Sequence, residues 1–203
     1  MIKIKTKMPN FDSQRHNELI ASNWKMLKEP GNIYSAIVLS FPLMILNVAI
    51  TLGLLSIIEP LSLNFLDFSM EGFSISIDLK HIVGLIALLI LHEALHFICI
   101  PDFRTSKNTS FGITPIGGFV YSEENIKKSR YISITVAPFL IISFVLPILL
   151  GLFKLLTPYP IFLILLNSAA SSVDILNLIN IVRKVPENAL ITSNGAKTYW
   201  LSK

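Results

Sequence analysis

Four long apolar runs constrain this chain more than any other feature. They cover about Ile33 to Ile58, Leu79 to Ile100, Tyr131 to Leu156 and Pro160 to Val182. A helix needs roughly 20 apolar residues to cross a bilayer, and each run meets that length. In lipid such runs must be helical, because a helix satisfies every backbone polar group within its own segment. Pro42, Pro138 and Pro147 fall inside the runs, and membrane helices tolerate prolines better than soluble ones do. Composition agrees: 52% of the 203 residues are hydrophobic and only 15% are charged, against about a quarter charged in soluble domains. The expected fold is an all-α membrane protein of about four transmembrane helices, in one compact bundle.

The polar connections give that bundle a direction. The N-terminal segment carries Lys3, Lys5, Lys7, Arg15, Lys25 and Lys28, and the loop from Pro101 to Arg130 carries Arg104, Lys107, Lys127, Lys128 and Arg130. The tail after Val182 carries Arg183, Lys184, Lys197 and Lys203, whereas Glu59 to Asp78 holds no Lys or Arg. Positive charge favours the cytoplasmic side, so both termini and the 101–130 loop are expected there. An even number of spans returns the chain to the side on which it began. The organisation read from this is a cytoplasmic N-terminal segment (1–31), a membrane domain (32–182) and a cytoplasmic tail (183–203), in a multi-pass membrane protein. The tail reads as a short amphipathic or disordered end.

Several classes fall away. The single cysteine, Cys99, forbids an intrachain disulfide. The polar N-terminus lacks an apolar run close behind a short basic start, so no cleavable signal peptide is expected. The net charge of +4 flanks membrane segments and forms no basic stripe among aromatics, so no nucleic acid is expected as a partner. Within the 101–130 loop, Ser110 to Tyr121 has two β-prone runs around a Pro/Gly turn. This predicts a small β-hairpin between the second and third helices rather than a plain loop.

Chemistry concentrates in the second run, at His92-Glu93-Ala94-Leu95-His96. Residues four apart share a helix face, so His92 and His96 can offer two imidazole nitrogens to one Zn2+ ion. Glu93 follows the first ligand directly and is placed to take a proton from water. An acid in the middle of a span costs about 2.5–3.5 kcal/mol on insertion scales, which argues for a purpose. A catalytic zinc usually takes a third protein ligand, and Asp174 is the other acid deep in a run. His96 and His92 precede Ile100 by four and eight residues, and Asp174 precedes Val182 by eight. At about 1.5 Å per residue all three lie on the order of 10 Å inside the same face. The bland reading of Asp174 is a kink cap or an ion pair, but no Lys or Arg lies at that depth.

Other candidates stay open. Asn167 lies seven residues before Asp174, and either contacts substrate and the transition state or makes a helix–helix hydrogen bond. Glu123 or Glu124 is a competing third ligand. Cys99 reads as a small hydrophobe, His81 as an interface residue, and His16 lies in the polar N-terminus.

These residues resemble the site-2 protease group of intramembrane zinc metalloproteases, and more closely a bacterial branch of membrane zincins. His92 to His96 resembles that group's zinc motif. Pro115-Ile116-Gly117-Gly118-Phe119-Val120 resembles its Pro-x-Gly-Gly-aromatic-Val segment, and Ala137-Pro138 resembles its Ala-Gly-Pro. Asn167 and Asp174 resemble its late Asn and ligand Asp. The resemblance covers about Leu79 to Val182. It implies zinc-dependent peptide-bond hydrolysis in or near a transmembrane segment of a protein substrate, within the lipid bilayer. It also implies a substrate held in extended form by the hairpin around Gly117 and Gly118. The alternative is a non-catalytic membrane binding or immunity-type protein with a relic metal site.

Overall fold

The structure, a computed structural model, describes residues 3–59, 78–114 and 117–202. Most of the acidic Glu59 to Asp78 connection and the Pro115-Ile116 turn lie outside the described residues.

Among the described residues, four helical stretches are long and apolar enough to cross a membrane: Ile33–Ile58, Leu79–Cys99, Lys128–Leu152 and Pro158–Lys184. The first two are single helices, here α2 (Ile33–Ile58) and α3 (Leu79–Cys99); a short helix α1 (Ser13–Ala21) precedes them. The third stretch is α4 (Lys128–Leu140), a π-helical turn over Ile141–Val145, and α5 (Leu146–Leu152). It begins earlier than the expected Tyr131 and ends before Leu156. The fourth is α6 (Pro158–Ala170) and α7 (Ser172–Lys184), separated at Ser171.

The outer face of α2 is apolar, and its inner face is mostly polar. In α2, the side chains of Ser40, Asn47, Thr51 and Leu55 are buried, and their spacing of seven, four and four puts them on one helix face. They meet α6 and α7. The Asn47 amide donates to the Ser168 carbonyl at 3.3 Å, the Thr51 and Ser168 hydroxyls lie 2.8 Å apart, and Ser172 donates to Ser40 at 3.2 Å. The opposite face carries Val38 at 72% and Ile57 at 82% exposure. This is the packing expected when the surroundings are as apolar as leucine and small or polar residues join the helices.

On the other side, α3 packs against α4, and α4 against α7. Lys128, buried at the start of α4, donates to the Val182 and Val185 carbonyls at 3.3 and 2.7 Å. It caps the end of α7 where a cation is favoured and sets α4 and α7 in register.

The expected hairpin is present as β3 (Thr109–Thr114) and β4 (Gly117–Ser122), antiparallel, with Thr114 opposite Gly117. The all-α expectation needs two corrections. First, the N-terminal β1 (Lys3–Lys5) pairs parallel with β3, giving a three-stranded sheet in the order β1-β3-β4. Second, the tail is neither disordered nor amphipathic helix: β6 (Leu190–Asn194) and β7 (Lys197–Leu201) form a hairpin. With β2 (Lys25–Met26) and β5 (Ile126–Lys127) they complete a second sheet, ordered β2-β7-β6-β5. Leu27, Ile181, Val185, Ala189 and Ile191 form its core, so both polar ends of the chain bury an apolar face against α7.

Candidate metal centre

The α3 helix brings His92, Glu93 and His96 to the side that faces α4 and β4. The two imidazoles lie 5.0 Å apart between centroids, nearly perpendicular at 77°. Asp174 comes from the first turn of α7, where the helix dipole favours an anion. Asn167 on α6 and Asp174 on α7 flank Ser171, across which helical hydrogen bonds continue from Ser171 N–H to Asn167 and from Ile175 N–H to Ser171, and both side chains reach the His92 ring.

One Asp174 oxygen, Oδ2, lies 3.3 Å from His92 Nε2 and 3.5 Å from His96 Nε2. All three side chains are largely enclosed, at 13%, 12% and 24% exposure for His92, His96 and Asp174. With bonds of about 2.1 Å in tetrahedral geometry, two ligand atoms on one zinc lie ~3.4 Å apart. The two nitrogen–oxygen separations match that edge. Among the described residues, His92, His96 and Asp174 form a group able to hold a metal ion.

The outer nitrogens are also committed. His96 Nδ1 lies 2.7 Å from the Ile134 carbonyl, and His92 Nδ1 lies 2.9 Å from Asn167 Oδ1. A carbonyl oxygen only accepts, so His96 Nδ1 must carry the proton, which leaves the Nε2 lone pair toward Asp174. The Asn167 amide is oriented by its nitrogen, which donates to the Pro138 carbonyl at 3.3 Å and to Ser143 Oγ at 3.0 Å. Its oxygen therefore faces His92, and His92 Nδ1 is likewise the N–H. Outer partners of this kind fix the tautomer and orientation of a ligating histidine. The donor set, its spacing and its outer bonds all fit a zinc ion.

Residues 85–190 match the model of the family described as "Putative zincin peptidase". That is just over half of the chain. The chain belongs to this family. No curated protein and no solved structure matches it. Zincins are zinc metallopeptidases, so the family and the donor set agree on the metal.

Glu93 is buried and its carboxyl lies against Gly118: a Cβ there would come within 2.6 Å of Glu93 Cδ and 2.7 Å of Oε1. Gly117 precedes it with φ +149. Asn167 is only 1% exposed, and its amide joins α6 to Pro138, Ser143 and His92. Glu123 is paired with Arg15 at 3.3 Å and accepts from Tyr121 at 2.7 Å, and Glu124 accepts from Ser106 at 2.7 Å. Neither joins the histidines. Cys99 packs against the Ile100, Ile126 and Ile134 cluster. His81 stacks edge-on against Tyr159 at 4.8 Å, and His16 Nδ1 lies 2.7 Å from the Tyr199 hydroxyl. Sequence reasoning missed the Ile134 carbonyl and Ser143. The available signal was Pro138, four residues after Ile134.

Proposed function

We propose that this zincin is an integral membrane endopeptidase of the site-2 type, cutting a peptide bond in or near a transmembrane segment of a protein substrate. The observation that carries the reading is the single Asp174 oxygen within 3.5 Å of both histidine Nε2 atoms, on helices apolar enough to cross a membrane. His92, His96 and Asp174 would hold zinc. Zinc in such a set supplies Lewis acidity, acidifying water and polarising a carbonyl. Glu93, beside them, takes a proton from the attacking water and returns it to the leaving amine nitrogen.

The substrate strand would lie along β4. That strand ends the three-stranded sheet, and Gly118 leaves its backbone close to Glu93. Main-chain hydrogen bonds to such an edge hold a peptide in extended form. The charge asymmetry of the loops supports a multi-pass protein with both termini cytoplasmic. The membrane domain would then be 32–182, flanked by cytoplasmic segments 1–31 and 183–203.

The test uses the purified full chain with zinc measured by elemental analysis and cleavage measured on a model transmembrane peptide. Glu93→Gln should retain zinc and lose cleavage by about 10²–10⁴-fold. Asp174→Ala should lose both. Normal cleavage by Glu93→Gln would overturn the mechanism, and full zinc in Asp174→Ala would overturn the third ligand. No cleavage by any variant, wild type included, would favour a non-catalytic binder.

A further inference from the structure

We propose that Pro138 is a positioning residue for the ligand His96, which takes the Ile134 carbonyl that a proline leaves free, at a position whose own backbone carbonyl helps hold Asn167 toward His92. This rests on the metal reading above and deepens it.

In an α-helix the carbonyl of residue i accepts from the N–H of residue i+4. Pro138 lies in the interior of α4 and has no N–H. The carbonyl it would have satisfied is that of Ile134, four residues earlier. That same carbonyl accepts from His96 Nδ1 at 2.7 Å. The missing backbone donor thus leaves an acceptor open on a buried helix face, and the ligand ring fills it.

The second route runs through Pro138's own carbonyl. It accepts from the Asn167 amide at 3.3 Å, and Ser143 on the π-helical turn takes the same nitrogen at 3.0 Å. Together they turn Asn167 Oδ1 toward His92 Nδ1, at 2.9 Å. Asn167 and Ser143 are almost fully enclosed, at 1% and 0% exposure, so water does not substitute for these bonds. The proline therefore frees the acceptor for His96, and the backbone carbonyl at the same position helps orient Asn167 toward His92. In both rings Nδ1 is tied back and Nε2 is turned toward Asp174.

A proline merely tolerated in a membrane helix would have no such consequence. The two ideas separate in a metal titration of the full chain in detergent, with Zn2+ and Co2+ as probes. Replacing Pro138 by Ala restores an N–H that competes with His96 for the Ile134 carbonyl. Pro138→Ala should bind Zn2+ about 10–100-fold more weakly, the range for outer-shell changes, and shift the d–d absorption of bound Co2+. Its metal-free thermal unfolding should not fall. Pro147→Ala, a buried proline of the same span, should bind zinc as wild type does. Wild-type affinity and an unchanged Co2+ spectrum in Pro138→Ala would overturn the proposal and leave the metal site standing. Absence of zinc from wild type would sink both. Should Pro138→Ala not fold, 15N spectra of the histidines in zinc-loaded wild type decide instead. Protonated Nδ1 with ligating Nε2 in both rings is expected, and ligation through Nδ1 in either ring would overturn the proposal.

Discussion

The metal centre and the second sheet are built from opposite materials. The centre joins three polar side chains from α3 and α7, each oriented by a hydrogen bond or a charged neighbour, amid apolar helices. The sheet joins the two ends of the chain through backbone ladders over an apolar cluster of Leu27, Ile181, Val185, Ala189 and Ile191. In the first, function depends on where a few atoms lie, and little buried area is at stake. In the second, stability depends on burial and backbone conformation, and no chemistry is at stake. Damage to one should therefore leave the other readable.

The largest separation is expected at Gly118. An added methyl there would meet Glu93 Cδ at 2.6 Å and Oε1 at 2.7 Å, so the carboxyl must move. A displacement of about 1 Å at a reacting group can cost 10²-fold in rate. Gly118→Ala should cut cleavage on that order while zinc content and thermal unfolding stay near wild type. Loss of zinc would show that β4 shapes the ligands as well as the base.

Gly195 is the counterpart in the sheet. It sits in the β6–β7 turn with φ +56, and a Cβ would come within 2.7 Å of the Phe11 backbone nitrogen. Left-handed backbone costs a non-glycine residue about 1–2 kcal/mol. Gly195→Ala should lower stability by at least roughly that much in denaturant titrations, with zinc bound per folded molecule unchanged. A changed zinc stoichiometry would break the division drawn here.

The smallest effect concerns pH. Burial holds the Glu29 carboxyl above its ordinary 4.5, outweighing the hydrogen bonds from the Thr198 N–H and hydroxyl at 3.0 and 2.8 Å. A carboxyl with a raised folded pKa binds its proton more tightly in the folded state. Its stabilising contribution is complete below 4.5 and is lost as pH rises through the folded value. Glu29→Gln keeps an acceptor for the Thr198 N–H and cannot ionise. The thermal midpoint of the variant should fall less than that of wild type between pH 4.5 and neutrality, and an unchanged slope would assign the dependence to another group.

The legible parts of the molecule were those set by local rules. The four apolar runs announced four long helices, because hydropathy and length act within one segment. His92 and His96 announced a shared face, because four residues make about one helical turn. Asp174 was reached by counting depth on two helices. The β3–β4 hairpin followed from its turn residues. The tail hairpin was legible too, since Asn194-Gly195 between β-prone runs is a hairpin signal, but the polar composition of 183–203 pointed elsewhere. Nothing local announced that β1 would pair parallel with β3, because such a pairing depends on where two distant segments come to lie.

Asn167 shows the limit most clearly. Its spacing from Asp174 placed both on one helix face, and either a substrate contact or a helix–helix bond suited it. The packing of α6 against α4, the π-helical turn and α3 turned its amide to Pro138, Ser143 and His92. The sequence by itself determined which residues are able to ligate a metal and on which long helices or loops they stand. Only the tertiary structure decided that Asp174 meets both histidines, that Glu123 and Glu124 do not, and which carbonyls hold the rings. Spacing along a helix is set by backbone geometry, whereas these partners are set by how separate helices pack.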